Sequence, residues 1–381
     1  MEVLHRGFDG LDLSFQGHVS PEFCEALESA KAEASDARRD ALLQFNGMKM
    51  HVGETGARGG YAFRASTGPF GATWFFKKPN QRDPWGVRVS VNSLGLAVFG
   101  LGRVRADLYA FLDALGIATA PQGVSIGRVD YAVDILAPDL ILDPDCFVMH
   151  SQCTRADHIE GVDVQVHGRS GRVTSVTIGK MPGRQVIVYD KRAEVIAKHK
   201  SAWWEIWNAN REAAGRNPLV ASDAAASRVW RVELRAGKRH LHDRWQIRTW
   251  ADLDERLGDV KAATLDAVRY CEPMGDTNRS RWPDADIWQI ARREISRDLF
   301  ELRTHAEPDR VKAVYREQKR REVETQIDGL LVTEASLRGC KPTDFERHLR
   351  RFGFAASERA KSHRDPIDER LQRAGEKYVF L

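Results

Sequence analysis

The sequence predicts an α+β fold: a mainly antiparallel sheet with packed helices, followed by an all-helical C-terminal domain. Two observations carry that expectation. Strand signals recur from about residue 43 to residue 235 and then stop, while helical periodicity broken by Pro273, Gly275, Pro283, Pro308 and Pro342 fills the rest. A change from mixed strand and helix to helix alone marks a domain boundary. The expected division is residues 1–245 as the α+β domain, 246–355 as a helical DNA-binding or partner-binding domain, and 356–381 as a charged, mobile tail.

Ser20-Pro21-Glu22 reads as an N-cap with proline at the first helical position, and alanine and glutamate carry the helix to residue 36. Strands are expected at 43–53, 60–65, 72–78 and 85–92, the last setting Trp85, Val87, Val89 and Val91 against Arg88, Ser90 and Asn92. Residues 104–115 form an amphipathic helix stopped by Gly116. Next come a strand at 124–136, a short helix at 139–150, strands at 163–168, 172–179 and 184–190, a helix at 191–213 and a strand at 228–235. Helices then follow near 250–271, 284–304, 308–327 and 343–352.

The bulk composition limits the function classes. With 381 residues, 42% hydrophobic and 29% charged, the chain suits a globular protein of two or three domains rather than a disordered one. No stretch reaches the roughly 20 apolar residues that span a bilayer, and Met1-Glu-Val-Leu-His-Arg6 has no apolar signal core, so the cytoplasm is the expected compartment, with no membrane partner. The five cysteines, Cys24, Cys146, Cys153, Cys271 and Cys340, show no C-x-x-C spacing and read as reduced structural thiols. A net charge of +4 does not by itself announce a nucleic-acid binder. Trp203, Trp204 and Trp207 have the spacing and bulk of core packing, with stacking on unpaired bases the alternative.

Three strand segments gather the polar chemistry: Arg128-Val-Asp-Tyr-Ala-Val-Asp134, Gln185-Val-Ile-Val-Tyr-Asp-Lys191 and Arg231-Val-Glu-Leu-Arg235. Alternation puts Arg128, Asp130 and Asp134 on one face, as it does Arg231, Glu233 and Arg235. Carboxylates without histidine or cysteine favour Mg²⁺ or Mn²⁺, but the same spacing equally admits cross-strand ion pairs with the arginines. Tyr189 and Lys191 share a face, and a lysine beside a phenol can favour the phenolate or hold a phosphate. A tyrosine near a strand end, taken alone, is most often packing.

In order and separation these segments, with Thr177-Ile-Gly-Lys180 before the tyrosine strand, resemble the rolling-circle replication initiators of plasmids and phages, the Rep_trans family. The likeness covers roughly residues 85–255. It implies a DNA strand transferase, a site-specific single-strand endonuclease that binds origin DNA and nicks one strand. Tyr189 would be the nucleophile and Lys191 its catalytic partner. Asp130, Glu233 and Asp134 would hold Mg²⁺ or Mn²⁺, and Arg128, Arg231 and Arg235 would meet DNA phosphates. The product would be a 5′-phosphotyrosyl link and a free 3′-hydroxyl. A host helicase and a second copy of the chain are the further partners it would allow. Lys180-Met-Pro-Gly-Arg184 departs from the loop common in that family, which bears on the detail of DNA binding rather than on the nicking role. A mobilisation relaxase with the same chemistry and a non-catalytic DNA-binding regulator on the same fold are the rival readings.

Other motifs are weaker. His240-Leu-His242 matches a metal-binding triplet but follows the tyrosine and sits at a helix start, so solvated or phosphate-facing histidines are expected. Gly53–Gly60 lacks the Gly-Lys-Ser/Thr ending of a nucleotide loop and reads as a hairpin loop near DNA. Arg316–Glu322 reads as a solvated charged face or a phosphate-tracking one.

Overall fold

A computed structural model describes residues 1–149, 164–169, 171–296 and 304–381. Its centre is a strand that the sequence reading does not anticipate. β1 (Glu2–Phe15) lies between β6 (Val87–Val91) and β7 (Val124–Leu136) in an eleven-stranded antiparallel sheet. Gly7 and Gly10 break its alternation, and its pairing with β7 shifts register between Phe8 and Gly10. Gly10 stands opposite Asp130, where a Cβ would come within 2.6 Å of Asp130 Oδ2. The close approach therefore needs the missing side chain.

Helix α1 (Pro21–Ala37) starts as expected, with Ser20 Oγ accepting from the Phe23 N–H at 3.1 Å, and buries Phe23, Leu27, Ala30 and Ala34 along one stripe. The single strand expected at 43–53 is a hairpin, β2 (Ala41–Phe45) and β3 (Met48–Val52). Asn46 and Gly47, at φ 46° and 79°, turn it in the left-handed region that these two residue types tolerate. Residues 53–60 then join β3 to β4 (Tyr61–Ser66), as the glycine-rich reading expects, and β5 (Ala72–Lys77) completes this wing. Helix α2 (Ser93–Ala114) begins earlier than its periodicity suggests, because Gly100, at φ 75°, kinks it.

On the other side of β1 the order is β7, β12 (Val229–Gly237), β11 (Arg184–Asp190), β10 (Arg172–Gly179) and β9 (Val164–Arg169). The short helix expected at 139–150 is instead a single turn at 144–146 and strand β8 (Phe147–Met149); residue 150 lies outside the described residues, as do 163 and Cys153. The helix expected at 191–213 is two, α3 (Lys191–Ala197) and α4 (Ala202–Ala213), parted where His199 adopts φ 50°.

Strands do not stop at 235. After α5 (Trp250–Ala267), opened by a Thr249–Asp252 capping box, β13 (Val268–Tyr270) pairs with β8, and α6 (Asp286–Ile295) follows. The continuation expected through 304 runs into 297–303, outside the described residues. Met1–Pro308 forms one compact unit and Asp309–Leu381 another, so the boundary expected at 245–246 falls inside the first. The second contains α7 (Pro308–Leu337), α8 (Phe345–Lys361) and α9 (Ile367–Glu376), so much of 356–381 is helical. On α7, Arg320 and Arg321 pair with Glu317, which makes the 316–322 run an ion-paired helix face.

The fold is thus a mixed α/β domain with a large antiparallel sheet, followed by an all-helical C-terminal region. One face of the sheet is apolar, with Phe8, Leu11, Val129, Tyr131, Val133, Val188, Val232 and Leu234 all in the core. Among the described residues no helix is long and apolar enough to cross a membrane. Cys24, Cys146, Cys271 and Cys340 are free thiols.

Candidate functional site

The opposite face of the same strands carries the charged residues, and the register decides which of them meet. Residues directly opposite in neighbouring strands share a face. One cross-strand row runs Ser175, Tyr189, Arg231, Asp134, His5, through β10, β11, β12, β7 and β1. Another, four residues earlier on β11, runs Gln185, Arg235, Asp130, Gly10. Glu233, opposite Ile187 and Ala132, lies in the row between them.

The first row is sealed. Arg231 is fully buried and grips two carboxylates: its Nε donates to Asp134 Oδ1 at 2.6 Å, Nη2 to Asp134 Oδ2 at 2.9 Å, and Nη1 to Asp9 Oδ1 at 2.5 Å. Helix α4 closes over this group. Trp207 Nε1 donates to Asp134 Oδ2 at 2.9 Å, and the Trp203 ring stacks on Arg231 with 4.4 Å between Cζ and the ring centre. Burial opposes ionisation of Asp134 and Asp9, but the Arg231 guanidinium outweighs it and holds both below the usual carboxylate range. Burial pushes neighbouring His5 down to about 4.

Tyr189 and Lys191 sit at the rim of this row. Burial raises the Tyr189 phenol well above its ordinary value, with the Arg231 cation pulling the other way. Lys191 is buried, its Nζ 2.8 Å from Glu194 Oε2, 4.7 Å from the Trp203 ring centre and 5.7 Å from that of Tyr189. Burial lowers its affinity for a proton. The cation directly opposite Tyr189 is therefore Arg231, not Lys191, and Arg231 is spent on two carboxylates rather than presented to a DNA phosphate.

The second row is open to solvent. Asp130 and Glu233 have side chains 2% and 1% exposed, whereas Arg128 and Arg235 above them are 33% and 30% exposed. Arg128 Nε donates to Asp130 Oδ1 at 2.9 Å, and its Nη2 pairs with Oδ2. Arg235 Nε donates to Glu233 Oε1 at 2.6 Å and lies 3.8 Å from Asp130 Oδ2. Burial, reinforced by the Glu233 charge, lifts Asp130 to about 6 despite the Arg128 bond. Glu233 Oε2 is buried with no hydrogen-bond partner. Asp12 of β1, which faces Arg128 and accepts from Ser90 Oγ, adds a carboxylate that the motif reading missed.

Of the three expected metal ligands, the structure brings Asp130 and Glu233 together and gives Asp134 to Arg231. Among those three residues a divalent ion would find one unengaged carboxylate oxygen, Glu233 Oε2, with two guanidiniums where further oxygen ligands would be needed. Among the described residues no group of three His, Cys, Asp or Glu side chains is placed to hold a metal. The residues as arranged do not fit Mg²⁺ or Mn²⁺. Register also separates Tyr189 from Asp130 by about 13 Å along the strands and about 10 Å across them. Glu233, one strand away and diagonal to Tyr189, is the nearer carboxylate.

His240 and His242 are neither solvated nor phosphate-facing. They lie buried in a π-helical turn at 240–244, where His242 Nε2 bonds the Ile126 carbonyl at 2.8 Å and His240 Nε2 accepts from Trp245 Nε1 at 3.2 Å. Trp203 and Trp207 are core residues, and they cover the charged row rather than apolar neighbours alone.

No protein-family model matches the chain, and no curated protein matches it. Among solved structures, a rolling-circle replication initiator protein from Geobacillus stearothermophilus is similar at 15% identity with a TM-score of 0.41, over 77% of this chain and 96% of that one. A likeness that distant assigns no role to any residue.

Proposed function

We propose that the chain nicks one strand of DNA through Tyr189, in the manner of a replication initiator. The observation that carries the reading is Tyr189 on the same sheet face as a buried carboxylate, Glu233, whose Oε2 has no partner. A raised phenol needs a base, and Glu233 is diagonal to it on the neighbouring strand, within reach of a long side chain or one bridging water. In the proposed step Tyr189 Oη attacks a backbone phosphorus and passes its proton to Glu233. The bond from phosphorus to the 3′-oxygen breaks, and that oxygen takes a proton from solvent. Tyr189 then carries the 5′-phosphate, and the link conserves the energy needed to rejoin the strand. Arg231, opposite Tyr189, opposes the effect of burial on the phenol. Arg128 and Arg235 are partly exposed cations of this face that a phosphate can reach.

The ion pairs Arg128–Asp130 and Arg235–Glu233 favour a second reading, a DNA-binding regulator whose carboxylates are wholly structural. Supercoiled plasmid carrying candidate origin DNA separates the two. The nicking reading expects relaxed product from the parent chain and a loss of about 10³-fold or more in Tyr189→Phe, with DNA binding kept. Arms with Mg²⁺, Mn²⁺ and chelator report any metal requirement. Nicking that survives Tyr189→Phe removes Tyr189 as nucleophile, and binding without nicking in every arm selects the regulator.

A further inference from the structure

We propose that a cleft where β10 and β11 meet α3, on the sheet face opposite Tyr189, holds the backbone phosphate of a DNA strand. The cleft has a volume of about 360 Å³ and is lined by Arg169, Arg172, Thr174, Asp190, Arg192 and Arg228 among others. Asp190 directly follows Tyr189 on β11, and alternation turns the two side chains to opposite faces at one strand end.

Four arginines meet one aspartate here, and most of their anchoring partners are neutral. Arg192 Nε donates to Ser227 Oγ at 2.9 Å and its Nη2 to the Ala221 carbonyl at 2.8 Å, while Arg228 Nη1 donates to the Pro138 carbonyl at 2.9 Å. These bonds fix the guanidinium planes without cancelling their charge. Arg172 Nη2 donates to Asp190 Oδ2 at 2.7 Å, and Asp190 Oδ1 is occupied by the Ala193 N–H at 2.8 Å. Among the described residues Asp190 alone forms an ion pair with any of the four. Each guanidinium has five N–H donors, so several remain for an anion, held in a planar fork that matches phosphate oxygens. Four guanidiniums lining one cleft carry more positive charge than a single small phosphate balances, which suits a run of sugar-phosphate backbone better. Fixed donors also lower the ordering cost of binding.

The proposal rests on the reading of the chain as a DNA-nicking protein, but binding and nicking are measured apart. The full chain is titrated into a fluorescent single-stranded oligonucleotide across a range of salt, and anisotropy is read for the parent, Arg169→Ala and the double variant Arg169→Ala/Arg228→Gln. Arg169 is exposed, so its single variant carries the test if the double variant fails to fold. We expect the double variant to bind about fivefold to tenfold more weakly, with the salt slope reduced by about 0.7 for each phosphate that the variant no longer neutralises. Arg103→Ala, which removes an exposed charge on α2, leaves affinity and slope unchanged. Affinity and slope equal to the parent in both cleft variants overturn the proposal. So does thermal protection by millimolar inorganic phosphate that the variants lose while their oligonucleotide binding is intact, because the cleft then takes a small phosphate. A parent chain that binds through the cleft and never nicks overturns the nicking reading and leaves the cleft standing.

Discussion

The two ends of one charged sheet face differ in what covers them. At the Asp134 end, α4 lays Trp203 and Trp207 over Arg231, and each oxygen of Asp134 is used. At the Asp130 end, among the described residues, no such cover stands over the arginines, which remain about one-third exposed, and Glu233 keeps an oxygen unpaired. Both ends are built from the same alternating Arg, Asp and Glu. A packed helix turns one end into a structural clasp, whereas the arginines of the other end stay within reach of solvent. The proposed nicking step is placed between the two ends, with Tyr189 at the rim of the clasp and Glu233 diagonal to it at the edge of the open end.

The sharpest way to break this comparison is to remove one arginine from each end. Arg231→Met strands the buried Asp134 and the partly buried Asp9 and is expected to cost about 3–5 kcal/mol of stability in denaturant melts. Arg235→Met leaves the single buried carboxylate of Glu233 without its partner at a site where solvent reaches the guanidinium, and is expected to cost less, about 1–3 kcal/mol. Equal losses would mean that the open end is as structural as the clasp.

A smaller effect comes from pH. The Asp130 carboxyl rises to about 6 from an ordinary 3.8, so between pH 4 and pH 6 the folded chain keeps a proton that the unfolded chain has released. Stability from this group falls as pH rises through that window and is level above it. His5 acts oppositely: with a value lowered from 6.5 to about 4, it contributes stability that is lost as pH falls across that interval. Comparing the parent with Asp130→Asn in chelator isolates the Asp130 effect. The difference in stability is expected to shift in favour of the variant between pH 4 and pH 6, and parallel curves would refute the raised Asp130.

Much of the sheet was legible because its strands alternate cleanly; β7, β10 and β11 fall where the pattern puts them. β1 was not, since Gly7 and Gly10 interrupt its signal, yet it brings His5, Asp9 and Asp12 to the charged face. Alternation correctly placed Asp130, Asp134, Glu233 and the arginines on shared faces. It could not tell a clasp from a site, because that depends on α4, more than sixty residues after Asp134, folding back over one end. The arginine cleft was equally hidden: Arg169, Arg172, Arg192 and Arg228 belong to no common motif and meet only through tertiary structure.

The most direct test is to find the covalent link. After reaction with supercoiled origin plasmid, the protein is denatured, treated with nuclease and trypsin, and its peptides are weighed. Trypsin releases Gln185–Lys191, which contains Tyr189 as its only tyrosine. The predicted result is a residual nucleotide on that peptide, carried on Tyr189 through a 5′-phosphate and absent from Tyr189→Phe. A nucleotide on another residue, or nicking with no adduct on this peptide, would contradict it.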